Sequence, residues 1–166
     1  MKVIYLAGGC FWGVQKYFDQ FDGVIETRVG YANGKSVNPT YEEVKSQKSG
    51  HSETLKITYN ETIISLKQLL EYYFLVIDPV SHNKQGEDEG ISYRTGIYYT
   101  NDEDLPIIQK AAAKVQQEYT EPLAVEITPL TNFYDAEEYH QKYLEKNPGG
   151  YCHIGESYFH IGDKDD

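Results

Sequence analysis

The residues best able to do chemistry are two cysteines near opposite ends of the chain, Cys10 and Cys152. Cys10 stands in Gly8-Gly9-Cys10-Phe11-Trp12-Gly13, after an apolar, β-rich run and before a stretch with helical spacing. A thiol at a strand-to-helix turn meets the positive end of the helix dipole and unpaired backbone N–H groups, which favour thiolate over thiol. A thiol after an apolar strand is also ordinary core material, because free Cys is among the most buried residue types. Placement alone leaves both readings open. The glycines do not make a dinucleotide loop, since GxGxxG would need glycine where Cys10 stands. Cys152 lies in Tyr151-Cys152-His153-Ile154, beyond Gly149-Gly150 and without a periodic pattern. There is no CxxC or HxxxH spacing and no second cysteine pair beside Cys152, His153 and His160. Neither a disulfide scaffold nor a metal site is therefore expected.

The elements that must position these groups follow from periodicity. A strand is predicted at Lys2–Ala7 and a helix from about Cys10 to Phe21, with Val14, Phe18 and Phe21 on one face. Alternation predicts strands at Val24–Gly30, Glu53–Tyr59, Tyr93–Tyr99 and Val125–Thr128. Asn33-Gly34 marks a turn, and Thr40 with Glu43 makes a capping box for a short helix. Ser65 opens the clearest helix, through Leu66, Leu69, Leu70, Tyr73, Phe74 and Ile77 to Asp78-Pro79. His82–Ser92 reads as a polar loop, and Asp102–Tyr119 and Asp135–Lys146 as helices. Alternating strands and helices argue for an α/β (α+β) single-domain two-layer sandwich. Its form is expected to be ferredoxin-like, a central mixed sheet with packed helices and an irregular C-terminal tail.

Composition narrows the function. Lys and Arg total 15 against 26 Asp and Glu, a net charge of −11. So acidic a chain repels a phosphate backbone or an anionic membrane surface, which argues against nucleic-acid and membrane partners. The apolar run before Cys10 is shorter than the core of a secretory signal, which argues against lipid attachment there, and no stretch reaches the length of a membrane span. A cytoplasmic protein with reduced thiols is expected.

Gly9-Cys10-Phe11-Trp12-Gly13 resembles the active-site signature of the A-type peptide methionine sulfoxide reductases, which act on the S epimer of methionine sulfoxide. The likeness continues through Gly30–Gly34, Asn38–Val44, Gly50-His51-Ser52-Glu53, Lys84–Gly90 with Tyr93-Arg94-Thr95, Tyr139–Leu144, and Asn147-Pro148 to Tyr151-Cys152. Lys45 stands where many members have a further cysteine, Thr95 replaces the usual Ser, and Glu87 a common Asn. The resemblance implies one reductase domain over 1–166, with about 147–166 a Gly-rich flexible tail carrying a resolving cysteine.

The resemblance also implies roles. A sulfoxide is positive at sulfur, so a thiolate can attack it, but oxide leaves only if protonated. Cys10 would be the nucleophile, charged at rest, and Glu53 the acid, kept protonated by poor solvation. Without the resemblance, Glu53 at the start of an alternating strand reads as a solvated edge carboxylate. Tyr41 and Tyr93 would donate to the oxygen, while Phe11 and Trp12 would wall a pocket for the methyl group. Asp88 would orient the substrate, with His140 assisting. Attack leaves a sulfenic acid on Cys10, which Cys152 would condense with to form a disulfide. Thioredoxin is the implied reductant; no cofactor is expected, and the chain is expected to act as a monomer on oxidised proteins, peptides or free methionine sulfoxide. Recognition of oxidised methionine without reduction is the rival reading, and it would need neither Glu53 nor Cys152.

Overall fold

The computed structural model describes residues 1–161; the end of the expected tail, 162–166, lies outside the described residues. In the first strand, β1 (Lys2–Ala7), Ile4 and Leu6 point into the main core, while Tyr5 and Ala7 join a smaller cluster with Ala32 and Tyr98. Alternation therefore divides the strand between two apolar surfaces. The chain turns through Gly8 and Gly9 into α1 (Phe11–Asp19), then runs through β2 (Val24–Ala32), α2 (Tyr41–Lys45), β3 (Ser52–Tyr59) and α3 (Leu66–Val76). Beyond Pro79 come a small hairpin of β4 (Lys84–Gln85) and β5 (Asp88–Glu89), and a 3-10 turn at Ile91–Tyr93. The chain continues as β6 (Gly96–Tyr99), α4 (Leu105–Gln116), β7 (Glu126–Pro129), β8 (Phe133–Asp135) and α5 (Tyr143–Lys146).

The main sheet has the order β7-β6-β1-β3-β2-β8. Its inner strands β6-β1-β3-β2 are antiparallel, whereas β7 joins β6 in parallel, so the sheet is mixed. Taken with α1 and α3, these four strands trace the β-α-β-β-α-β path of a ferredoxin-like sheet, with β7 and β8 added at the edges. No helix among the described residues is long and apolar enough to cross a membrane.

Local chemistry sets the boundaries. Thr40 and Glu43 form the capping box that opens α2, and Ser65 with Gln68 forms another for α3. Leu66, Leu69, Leu70, Tyr73 and Ile77 are buried, as their spacing predicts, with Phe74 half-buried. Three expectations need correction. His82–Ser92 holds the β4–β5 hairpin, and Tyr93 belongs to the following 3-10 turn, so β6 begins only at Gly96. Asp102–Tyr119 shortens to a 3-10 turn over Asp102–Asp104 followed by α4.

The third correction is larger. Asp135–Lys146 is not a helix but the end of β8, a 3-10 turn at Glu138–His140 and the short α5. Two buried side-chain amides compete with helical hydrogen bonding there. Gln141 accepts from the Val29 N–H and donates to the Val29 carbonyl, both at 2.9 Å, extending the edge of β2 like another strand. Gln15 of α1 accepts the Lys142 N–H at 2.7 Å, with Lys142 in the left-handed region at φ 57°. Such bonds satisfy backbone groups outside a helix and so override the apolar periodicity.

Candidate active site

Cys10 is the residue before the first turn of α1, set there by Gly9 at φ +84°. The end of β1 is tied to β6 by Tyr73, whose hydroxyl donates to the Ala7 carbonyl at 2.7 Å and accepts the Gly96 N–H at 3.1 Å. Cys10 is only 7% exposed. Burial pushes its thiol well above the usual range and Glu53 adds to the rise, while the Trp12 backbone N–H works against them. The charged resting thiolate expected from the helix position is therefore corrected: desolvation and nearby carboxylates outweigh the dipole.

Glu53 is not the solvated edge carboxylate its strand pattern suggests. It pairs with Tyr31 across β2 and β3, inside the sheet, and is 2% exposed. Burial raises its carboxyl to about 8, although its Oε1 accepts the Phe11 N–H at 3.1 Å. At neutral pH it is mostly a neutral acid beside a neutral thiol.

The two tyrosines reach the same place from separate elements. Burial, then the charge of Glu53, raises the phenols of both Tyr41 and Tyr93, and Cys10 contributes to each. Tyr41 opens α2, where its N–H donates to Glu137 Oε2 at 2.9 Å. Glu137 also accepts the Tyr31 hydroxyl at 2.8 Å, and these bonds hold its carboxyl below the ordinary range despite burial. Glu137 therefore braces Tyr41, a role with no signal in the sequence.

The aromatic residues divide. The Phe11 ring is packed against Tyr31 and His140 and is 1% exposed. Trp12 is half-buried, stacked on Tyr143 with centroids 3.8 Å apart, and its Nε1 donates to His140 Nδ1 at 3.0 Å. Burial lowers the pKa of His140, and acceptance at Nδ1 places its single proton on Nε2. Its ring also meets that of Tyr41 at 4.4 Å. His140 thus holds Trp12 and Tyr41 together from below.

Asp88, on β5, is half-buried. Burial raises its carboxyl, while the His153 ring, the Tyr151 hydroxyl and the Cys10 backbone N–H pull it back. Cys152 is free, half-buried, and seated on the first turn of α1: a Cβ added at Gly13 would lie 2.8 Å from its Sγ. The absent side chain at Gly13 makes the seat for that sulfur. Tyr151 and His153 also belong to the site through Asp88, and the sequence marks them only by their position on either side of Cys152.

The structure thus brings Cys10, Glu53, Tyr41, Tyr93 and Asp88 into one electrostatic neighbourhood, with Trp12 and His140 at its side and Cys152 one helical turn away. A thiol, a neutral carboxylic acid and phenols around one small volume define a site suited to reductive proton-coupled chemistry at a polar acceptor. The profile of the family described as peptide methionine sulfoxide reductase matches residues 2–161. A curated relative from Lachnoclostridium phytofermentans, named peptide methionine sulfoxide reductase MsrA, is 56% identical over 158 residues, covering 95% of each chain. Reduced Mxr1 from Saccharomyces cerevisiae has a TM-score of 0.87 at 40% identity, covering 91% of this chain and 88% of that one. Mxr1 crystallised in complex with Trx2 has a TM-score of 0.62 at 30% identity, covering 86% and 84%. The chain belongs to the peptide methionine sulfoxide reductase family. It is an oxidoreductase that reduces methionine sulfoxide.

Proposed function

We propose that Cys10 attacks the sulfur of a methionine-S-sulfoxide while Glu53 supplies the proton that lets the oxygen transfer. The thiol and the sulfoxide become a Cys10 sulfenic acid and methionine, and the proton lost by the thiol restores the one Glu53 gave, so no atoms are left over. The observation that carries this reading is Glu53, a buried carboxyl still protonated near neutrality at about 8. A neutral acid donates where an ionised one repels. Tyr41 and Tyr93 add phenolic donors, whose raised pKa values keep them protonated. The positive sulfur of the bound sulfoxide favours ionisation of a thiol that burial otherwise keeps neutral. Trp12 offers the accessible apolar wall, with Phe11 behind it; Asp88 orients the substrate and His140 positions Trp12.

Cys152 then displaces hydroxide from the Cys10 sulfenic acid, giving a Cys10–Cys152 disulfide and water. A dithiol protein resets it by exchange. Thioredoxin is our choice of reductant, supported by the Mxr1 relative crystallised with Trx2, a thioredoxin. We place the work in the cytoplasm, on free or protein-bound methionine sulfoxide as repair, by a single-domain monomer.

Replacement of the two cysteines tests the reading. Cys10→Ser should remove all reductase activity. Cys152→Ser should release about one methionine per enzyme and then stop in the presence of thioredoxin, counted by amino-acid analysis. Multiple turnover by Cys10→Ser would end the proposal.

A further inference from the structure

Beside Cys152, the imidazole of His153 is seated in a socket with only 4% of its side chain exposed. Its Nε2 lies 2.9 Å from the Gly8 carbonyl. A carbonyl only accepts, so Nε2 must carry a hydrogen. In the neutral ring Nδ1 is then a bare lone pair. It faces Asp88 Oδ2 at 3.8 Å, and both atoms are buried with no hydrogen-bond partner among the described residues. Two buried acceptors facing each other at this distance are unfavourable; one proton between them, on either atom, relieves both.

The socket is built for this ring. A Cβ at Gly9 would come 2.8 Å from His153 Nε2, and one at Gly13 would come 3.5 Å from Nδ1 and 2.8 Å from Cys152 Sγ. The ring and the sulfur thus converge over Gly13. Asp88 is held from the other side by the β4–β5 hairpin, whose Gln85 side chain makes two bonds to the Asp78 backbone, at 2.8 and 2.9 Å.

We propose that Asp88 and His153 share one proton and relay it in the resolving step, giving it to the hydroxide that leaves Cys10 and recovering it from the Cys152 thiol. This rests on Cys152 being the resolving cysteine. The S–O bond of the Cys10 sulfenic acid breaks as the S–S bond forms; Cys152 is oxidised, Cys10 is reduced, and hydroxide leaves as water with the relayed proton. The thiol proton returns to the pair, so the relay ends as it began. Burial pushes Asp88 up and His153 down, toward each other, as sharing requires. The groups facing the pair are Cys10 at the start of α1, Glu53 on β3, Glu87 beside Asp88, Tyr93 in the 3-10 turn, and Tyr151 and Cys152 in the tail segment, where Glu156 acts on Cys152. Lys16 of α1 acts on Cys152.

His153→Gln separates relay from packing, because its amide can still donate to the Gly8 carbonyl but cannot hold a proton opposite Asp88. Enzyme and stoichiometric methionine sulfoxide would be mixed and quenched from pH 5.5 to 9, with methionine and remaining free thiols counted. In the parent enzyme the disulfide step should fall on the alkaline side as the pair loses its proton. In His153→Gln that step should slow about tenfold more than methionine release does, and should rise steadily with pH as Cys152 ionises. His153→Ala, which also loses the Gly8 bond, should be no faster. A disulfide step in His153→Gln within twofold of the parent, with the same pH profile, overturns the relay. Peptide mapping that finds no Cys10–Cys152 disulfide in the oxidised parent overturns the resolving role of Cys152 itself and the relay with it.

Discussion

The two cysteines are held by different kinds of structure. Cys10 sits where a central strand meets a helix, and its surroundings are fixed by ladder hydrogen bonds, the Tyr73 hydroxyl and a continuous apolar core. Cys152 sits in a segment of turns, held by the His153 socket, the groove over Gly13, Lys16 over the Phe159 ring and the Gln20 amide on the Tyr158 carbonyl at 2.7 Å. In the proposed cycle Cys10 is a nucleophile that has to meet its substrate in one geometry, which secondary structure serves well. In that cycle Cys152 has to reach a partner thiol and then an external protein, which is better served by a few separable side-chain contacts, each worth little alone.

That contrast can be strained from either end. The largest effect belongs to Glu53→Gln, on the rigid side. A carboxyl raised in the folded state adds stability only below its unfolded pKa, and that contribution is lost as pH rises toward about 8. Gln keeps the acceptor for the Phe11 N–H without the titration. Denaturant unfolding should find the variant gaining about 3 kcal/mol on the parent at pH 7, and little near pH 4.5. Methionine release should fall on the alkaline side in the parent as Glu53 loses its proton, and in the variant it should be partial and lack that fall; an unchanged fall in methionine release would take Glu53 out of the acid role.

Gly13→Ala comes next and attacks the seat of Cys152. The helix gains up to about 1 kcal/mol in propensity, yet the new methyl lands on the Cys152 sulfur. Thiol counts after stoichiometric substrate should reveal disulfide formation slowed about tenfold, with the melting temperature not lowered. Tyr73→Phe removes the tie between β1 and β6 and leaves buried backbone groups unpaired, costing about 2 kcal/mol in chemical denaturation. Its effect on methionine release should exceed its effect on disulfide formation, since it disturbs only the rigid end. Lys16→Ala should be smallest: loss of the ring contact costs about 0.5 kcal/mol, readable as faster proteolytic nicking within 153–161 while global stability barely changes.

The same contrast separates what is legible in the sequence from what is not. The strand-to-helix turn around Cys10, the Thr40–Glu43 box and the α3 stripe are written in local spacing, and each stands where its pattern predicts. The state of the groups is not local. Cys10 is neutral rather than charged, and Glu53 is buried rather than edge-exposed, because β1 and β3 lie side by side in the middle of the sheet; no window of sequence contains that fact. The C-terminal third misled for another reason. Apolar residues from 135 to 146 keep a helical rhythm, but Gln15 and Gln141, far apart in the chain, claim the backbone bonds first. His153 is invisible in sequence as a partner of Asp88 because their meeting depends on two glycines, Gly9 and Gly13, leaving room.

Gly9 carries a consequence for how this chain can vary over generations. Its backbone sits at φ +84°, and its missing Cβ faces His153 and Gln85, each under 3 Å away. Dihedral preference and crowding forbid a side chain there independently, so no compensating change elsewhere can restore tolerance by relieving only one of them. Gly149, with nothing within 4 Å, stands free by the same measure. In a library of random replacements position 9 should stay glycine while 149 fills, and the boundary between the two behaviours would outline where the tail is packed against α1 and the hairpin.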